Sequence, residues 1–215
     1  MDRRSALTLL AGGILIGCGG GGDATNPSAP SAPAATTAPL RKVAQVQSPI
    51  RIVQACPYWC WAASISMIFA DNHHAVDQMR IVQSALGGAI VCTPGPSSQI
   101  TGLLSRSWID DSGRTFQSVV TAGYDFTNGI YAIDNRFIIN ELIAGRPLLY
   151  GDTQHAMVIV LAEYIDSLFE PRITNIGVID PWPDSPGFHY LSASQLVMRN
   201  LGGEATYIAS VSIIG

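Results

Sequence analysis

Cys60 lies in the run Gln54-Ala55-Cys56-Pro57-Tyr58-Trp59-Cys60-Trp61-Ala62-Ala63-Ser64. Pro57 ends one segment, and an Ala-, Ile- and Met-rich stretch begins at Trp59, so the thiol falls in the first turn of an expected helix. Backbone N–H groups lack partners there and the helix dipole is positive, which favours a thiolate. His155 opens the apolar run Ala156-Met157-Val158-Ile159-Val160, and Asp180 ends a β-type segment in Val178-Ile179-Asp180-Pro181-Trp182. A Cys, then a His, then an Asp, each at the edge of an element, is the set that a thiol nucleophile, its base and the base's orienter require. Asp152, three residues before His155 in an expected loop, competes with Asp180 for the last role.

With these residues the chain resembles the papain-like cysteine peptidases, in particular short bacterial forms similar to bacteriocin-leader peptidases and secreted effector proteases. Gln54 precedes Cys60 by six residues, Trp61 follows Cys60 directly, Gly145-Arg146-Pro147 leads toward His155, and Asp180 precedes Trp182 by two. The resemblance implies a papain-like α+β fold with a helical N-terminal half carrying Cys60 and an antiparallel sheet half carrying His155 and Asp180. It implies Cys60 as nucleophile, His155 as general base, Asp180 as orienter, and an oxyanion hole formed by the Gln54 side-chain amide and the Cys60 backbone N–H. The implied reaction is hydrolysis of a peptide bond in a peptide or protein substrate. The same triad could serve a deamidase or transferase, and a silent domain could keep the cleft to bind peptides. Two departures stand out. Cys60 and His155 are 95 residues apart, against roughly 130–150 in the papain and cathepsin signature, and the orienter is Asp instead of Asn. Both suit the short bacterial branch.

Trp59, Trp61 and Trp182 are candidates to wall the cleft, although core tryptophans would read the same way. With Cys60 as nucleophile and Cys18 assigned below, Cys56 and Cys92 remain for a disulfide, closing a loop worth about 3–4.5 kcal/mol. The alternative Cys56–Cys60 bond would block the nucleophile. No cofactor is expected, and no metal: His73 and His74 are adjacent, point apart on a helix, and have no ligand cluster around them.

Other elements must position this set. The sequence predicts helices over 59–70, 75–86, 98–105, 115–122 and 135–144, the last N-capped by Asp134 and stopped by Gly145 and Pro147. Strands are expected over 147–150, 155–165, 173–180 and 205–214, from their Val, Ile and Tyr content. His189 reads as a strand residue. Ser192 and Gln195 form a capping-box pattern before a short helix ended by Gly202-Gly203. Helices first and strands last indicate an α+β domain with two halves.

Composition narrows the functional classes. Hydrophobic residues make up 47% of the 215 and charged residues 13%, against roughly 25% charged in ordinary soluble domains. A net charge of −4 and a pI near 5.4 argue against a nucleic-acid partner. Residues 1–17 read as an export signal with Arg3-Arg4 ahead of a short apolar stretch, and Leu15-Ile16-Gly17-Cys18 resembles the lipobox of bacterial lipoproteins. Cys18 is then the lipidation site, and Gly19 after it implies the outer membrane. The Arg pair also partly fits a twin-arginine signal. Residues 18–45 read as a Gly-, Pro- and Ala-rich tether, and 46–215 as one domain, expected to be monomeric, in the cell envelope.

Overall fold

A computed structural model describes residues 40–95 and 97–215; the signal, the Cys18 lipobox and most of the tether lie outside the described residues. Strand β1 (Arg41–Gln45) comes first, followed by α1 (Cys60–Asp71), α2 (Gln78–Ala85) and α3 (Ser97–Leu103). Then come β2 (Ser107–Ile109), β3 (Thr115–Asp125), β4 (Ile130–Ala132), α4 (Asn135–Ile143), β5 (Leu148–Gly151), β6 (Ala156–Ile165), β7 (Arg172–Ile179), β8 (Phe188–Tyr190) and β9 (Tyr207–Ile214). The fold is α+β: four helices and one large antiparallel sheet among the described residues.

The sheet runs β2-β3-β9-β5-β6-β7-β8. β5 pairs with β6 through Ala156 to Ile159, and β1 takes over the same side through Leu161 to Ile165. β1 therefore belongs to the sheet, five residues before the expected start of the domain. Its buried residue is Ala44, a weak signal in a polar run. Ala156 to Val160 are buried on both faces of β6, which α1 and α4 help to cover, and alternation returns only farther along the strand.

α1 is buried continuously from Trp61 to Phe69, as expected of a helix apolar on all sides. It packs on α2, β5 and β6. α2 starts later than the sequence predicts because His73 takes a left-handed φ of 65° and Asp77 caps the new start by accepting the Met79 N–H at 2.8 Å. Asp134 caps α4 as expected, accepting the Phe137 N–H at 2.7 Å.

Two expected helices are absent. Residues 115–122 belong to β3, where Phe116 and Ser118 face inward and Thr115 and Gln117 outward. A serine at the buried Ser118 position hides the period of two, while Val119, Val120 and Thr121 supply the β-branching that suits a strand. The Ser192–Gln195 capping box does form: the Ser192 N–H donates to Gln195 Oε1 at 3.0 Å and the Gln195 N–H to Ser192 Oγ at 3.3 Å. The helix goes no further because tertiary partners take the carbonyls that would continue it. Tyr150 Oη donates to the Gln195 carbonyl, Glu204 N–H to that of Ser194 and Ala205 N–H to that of Val197. A single 3-10 turn, Arg199–Leu201, follows.

Candidate active site

Three element ends converge. Cys60 is the first residue of α1, His155 immediately precedes β6, and Asp180 immediately follows β7. Because β6 and β7 are antiparallel, the start of one adjoins the end of the other, and α1 packs against β5 and β6. Cys60, Trp61, His155 and Trp182 line one cavity of about 640 Å³, whose other walls include Tyr150, Asp152 and Tyr207.

The imidazole is held firmly. His155 Nε2 lies 2.7 Å from Asp180 Oδ1, and that oxygen also accepts the Trp182 N–H at 2.8 Å. The Trp182 ring stands edge-on to the imidazole at 6.4 Å. With Nε2 on the carboxylate, Nδ1 is the nitrogen left for the Cys60 sulphur. Burial by itself pushes the His155 pKa down, but hydrogen bonds to Asp180 and Cys60 outweigh it and raise the value to about 9. Burial pushes Asp180 up, and this is overcome by the His155 and Trp182 hydrogen bonds, which hold it below the usual carboxylate range.

The Asp152 carboxylate does not meet the imidazole. Its Oδ1 accepts the backbone N–H groups of Gln154 and His155, both at 2.8 Å, and its Oδ2 accepts Gln195 Nε2 at 2.9 Å. It fixes the turn that presents His155, the Asx-turn role expected of an aspartate in a tight connection.

The N-terminus of α1 has no side-chain cap. The first backbone bond of the helix is from the Ala63 N–H to the Trp59 carbonyl, so the Cys60 N–H has no partner within the helix. Gln54 is buried behind this turn. Its Nε2 donates to the carbonyls of Cys56 at 2.9 Å and Pro57 at 3.0 Å, its Oε1 has no partner, and it does not line the cavity. The spacing brings Gln54 to the right turn, but both its donors serve the loop and not the cavity.

Cys56 is bonded to Cys92, with Cα atoms 5.9 Å apart, and Cys60 is free. The bond holds the loop after α2 over the start of α1. Trp59 Nε1 donates to the Val91 carbonyl at 3.0 Å and Trp61 Nε1 to that of Thr93 at 3.4 Å. A Cβ on Gly95 would lie 2.5 Å from the Trp61 ring, so only glycine lets the loop close onto it. Of the three tryptophans expected in the cleft, Trp61 and Trp182 line it. Trp59 does not: it is buried in the core, drawn there by the Val91 carbonyl and the packing of α1.

Two residues that the sequence did not link to Asp180 lie behind it. Arg51 Nε donates to the Asp180 carbonyl at 3.2 Å, and its Nη2 donates to those of Trp182 at 2.8 Å and Ser185 at 3.1 Å. His189, placed in β8 as expected, has Nδ1 4.0 Å from Asp180 Oδ2. No local motif marks either residue, because their partners lie far along the chain or across a strand pair. His74 is engaged elsewhere, with Nδ1 3.0 Å from Asp110 Oδ2 and its ring stacked on Phe116. Neither a known protein-family model nor a characterised protein matches the chain.

Proposed function

We propose that the domain is a cysteine peptidase of papain-like architecture, cleaving peptide bonds through a Cys60–His155–Asp180 triad. The observation that carries the reading is the His155–Asp180 contact of 2.7 Å beside a free cysteine at an uncapped helix start, with Cys60 and His155 lining one cavity. In the first half-reaction the Cys60 sulphur attacks the scissile carbonyl carbon, and the negative charge moves to the carbonyl oxygen. The Cys60 N–H meets that oxygen; one such donor is worth about 2.7–4 kcal/mol in comparable sites. Imidazolium Nδ1–H gives its proton to the leaving amine as the C–N bond breaks. Water, deprotonated by the now neutral imidazole, then attacks the thioester and releases Cys60. Asp180 keeps Nε2 protonated and the ring in plane throughout. Gln54 would contribute a second oxyanion donor only by giving up its bond to the Pro57 carbonyl. In the same proposal Cys18 carries a lipid that holds the domain at the cell envelope.

The test is labelling of the mature protein with a papain-type epoxide at neutral pH, followed by intact mass and peptide mapping. A single adduct on Cys60, lost in His155→Ala, is expected, and Cys60→Ala is expected to abolish turnover while the circular dichroism spectrum is unchanged. Turnover retained by Cys60→Ala overturns the mechanism. Acceleration of acyl-enzyme breakdown by added amines would redirect the reading to a transferase.

A further inference from the structure

The hairpin joining β6 to β7 ends in two large apolar side chains over which none of the described residues packs: Leu168 is 98% exposed and Phe169 92% exposed. Scattered apolar residues on a surface need no explanation, whereas adjacent, fully presented ones mark a contact. The tip is also held in place. Arg136 Nη2 donates to the carbonyls of Ser167 at 3.1 Å and Phe169 at 2.9 Å. The Asn135 N–H donates to Glu170 Oε1 at 2.9 Å, and Asn135 Nδ2 to the Pro171 carbonyl at 3.0 Å. The first turn of α4 thus props the apolar pair outward.

The chain enters the domain at the same place. Arg41 pairs with Ile165 and Lys42 with Tyr164, and Lys42 Nζ reaches Asp166 Oδ2 at 2.7 Å. Leu40, just before them, is 79% exposed. Cys18 stands 22 residues ahead of Leu40, and that length spans at most about 75 Å fully extended. A lipid on Cys18 would thus tether the domain to a bilayer through the end of the sheet that carries the tip. Four basic side chains, Arg41, Lys42, Arg136 and Arg172, and four acidic ones, Asp134, Glu163, Asp166 and Glu170, stand round the tip and balance, on a chain whose net charge is −4. An apolar point on an end without net charge, on an otherwise acidic chain, is the part of the domain that a bilayer surface repels least.

We propose that Leu168 and Phe169 enter the head-group region of the bilayer that anchors Cys18, making the hairpin a second membrane contact that orients the domain. The membrane contact rests on the lipobox reading of Cys18, and its consequence for substrate rests on the peptidase reading as well. The orientation has a consequence for substrate. His155 precedes β6 and the tip follows it, and β6 has ten residues, about 33 Å at roughly 3.3 Å per residue. With the tip in the lipid, the cavity faces away from the membrane, toward extended segments of soluble or surface-projecting proteins instead of segments at the bilayer.

Cys56 and Cys92 are bonded to each other, so a mature, lipidated chain carrying Cys60→Ser and Phe169→Cys offers position 169 for a nitroxide. The probe surface is phosphatidylethanolamine–phosphatidylglycerol vesicles, and intact mass reports separately whether Cys18 bears lipid. On vesicles the nitroxide at 169 is expected to gain collisions with oxygen and lose collisions with an aqueous nickel reagent. The same label introduced through Thr115→Cys, at the exposed start of β3 near the opposite edge of the sheet, is expected to remain aqueous. A label at 169 as aqueous as that at 115 overturns the proposal. Spin–spin broadening at 169 without lipid also overturns it, because the tip would then dock a second copy of the chain.

Discussion

At the scale of single residues, the site depends on one hydrogen bond. His155 is raised to about 9 because Asp180 and Cys60 together outweigh burial, so under the proposed mechanism the carboxylate should set the alkaline edge of activity. Asp180→Asn is expected to move the alkaline limb of kcat/KM to lower pH and to reduce the rate on the order of a hundredfold or more. Asp152→Asn, which alters the turn but not the Nε2 contact, should leave the limb near 9. A raised histidine pKa means that its contribution to stability is whole below about 6.5 and is lost as pH rises through about 9. The depressed Asp180 contributes above its ordinary value and loses that contribution as pH falls through its folded one. Urea midpoints of wild type and Asp180→Asn across pH should converge at both extremes. Cys60, His155 and Asp180 were legible because residue type and element edge coincide at each. Arg51 and His189 were not, since a side chain's remote carbonyl or carboxylate partner leaves no local pattern.

At the scale of elements, the Cys56–Cys92 bond, the Trp59 and Trp61 indole hydrogen bonds and the Gly95 contact all hold one loop against the start of α1. The two cysteines are 36 residues apart, and closing such a loop stabilises by about 4 kcal/mol in the chain-entropy model. The double variant Cys56→Ser, Cys92→Ser should lose stability of that size in urea while still folding, since the indole contacts remain. Epoxide labelling of Cys60 should slow as the wall carrying Pro94 and Gly95 loosens. Unchanged labelling would make the bond a staple with no part in shaping the cavity. Helices were readable where a cap marked the start, as at Asp134, or where apolar content ran unbroken, as along α1. They were misread where one residue masked the period, as at Ser118, or where remote groups took the carbonyls a helix needed, as at Ser194 and Gln195.

At the scale of the whole molecule, the α+β class was legible from the change in texture along the chain, but the order of the sheet was not. The pairing of β3 with β9 joins segments about ninety residues apart, and nothing local records that choice. β1 shows the limit most clearly. In Arg41-Lys42-Val43-Ala44-Gln45 one side chain is buried, so no hydrophobic period separates a strand from a tether. Its role comes from where it lies: it covers the half of β6 that β5 leaves open, and an uncovered edge invites pairing with another chain. A chain starting at Val46 should therefore be less stable than one starting at Leu40 by about 1–5 kcal/mol, taking a few tenths to one per cross-strand pair over five pairs. It should also associate as concentration rises, through the bare edge from Leu161 to Ile165. Urea midpoints and light scattering of the two chains read both effects. If the shorter chain proved equally stable and monomeric, β1 would be an extension of the tether laid along a sheet that does not need it.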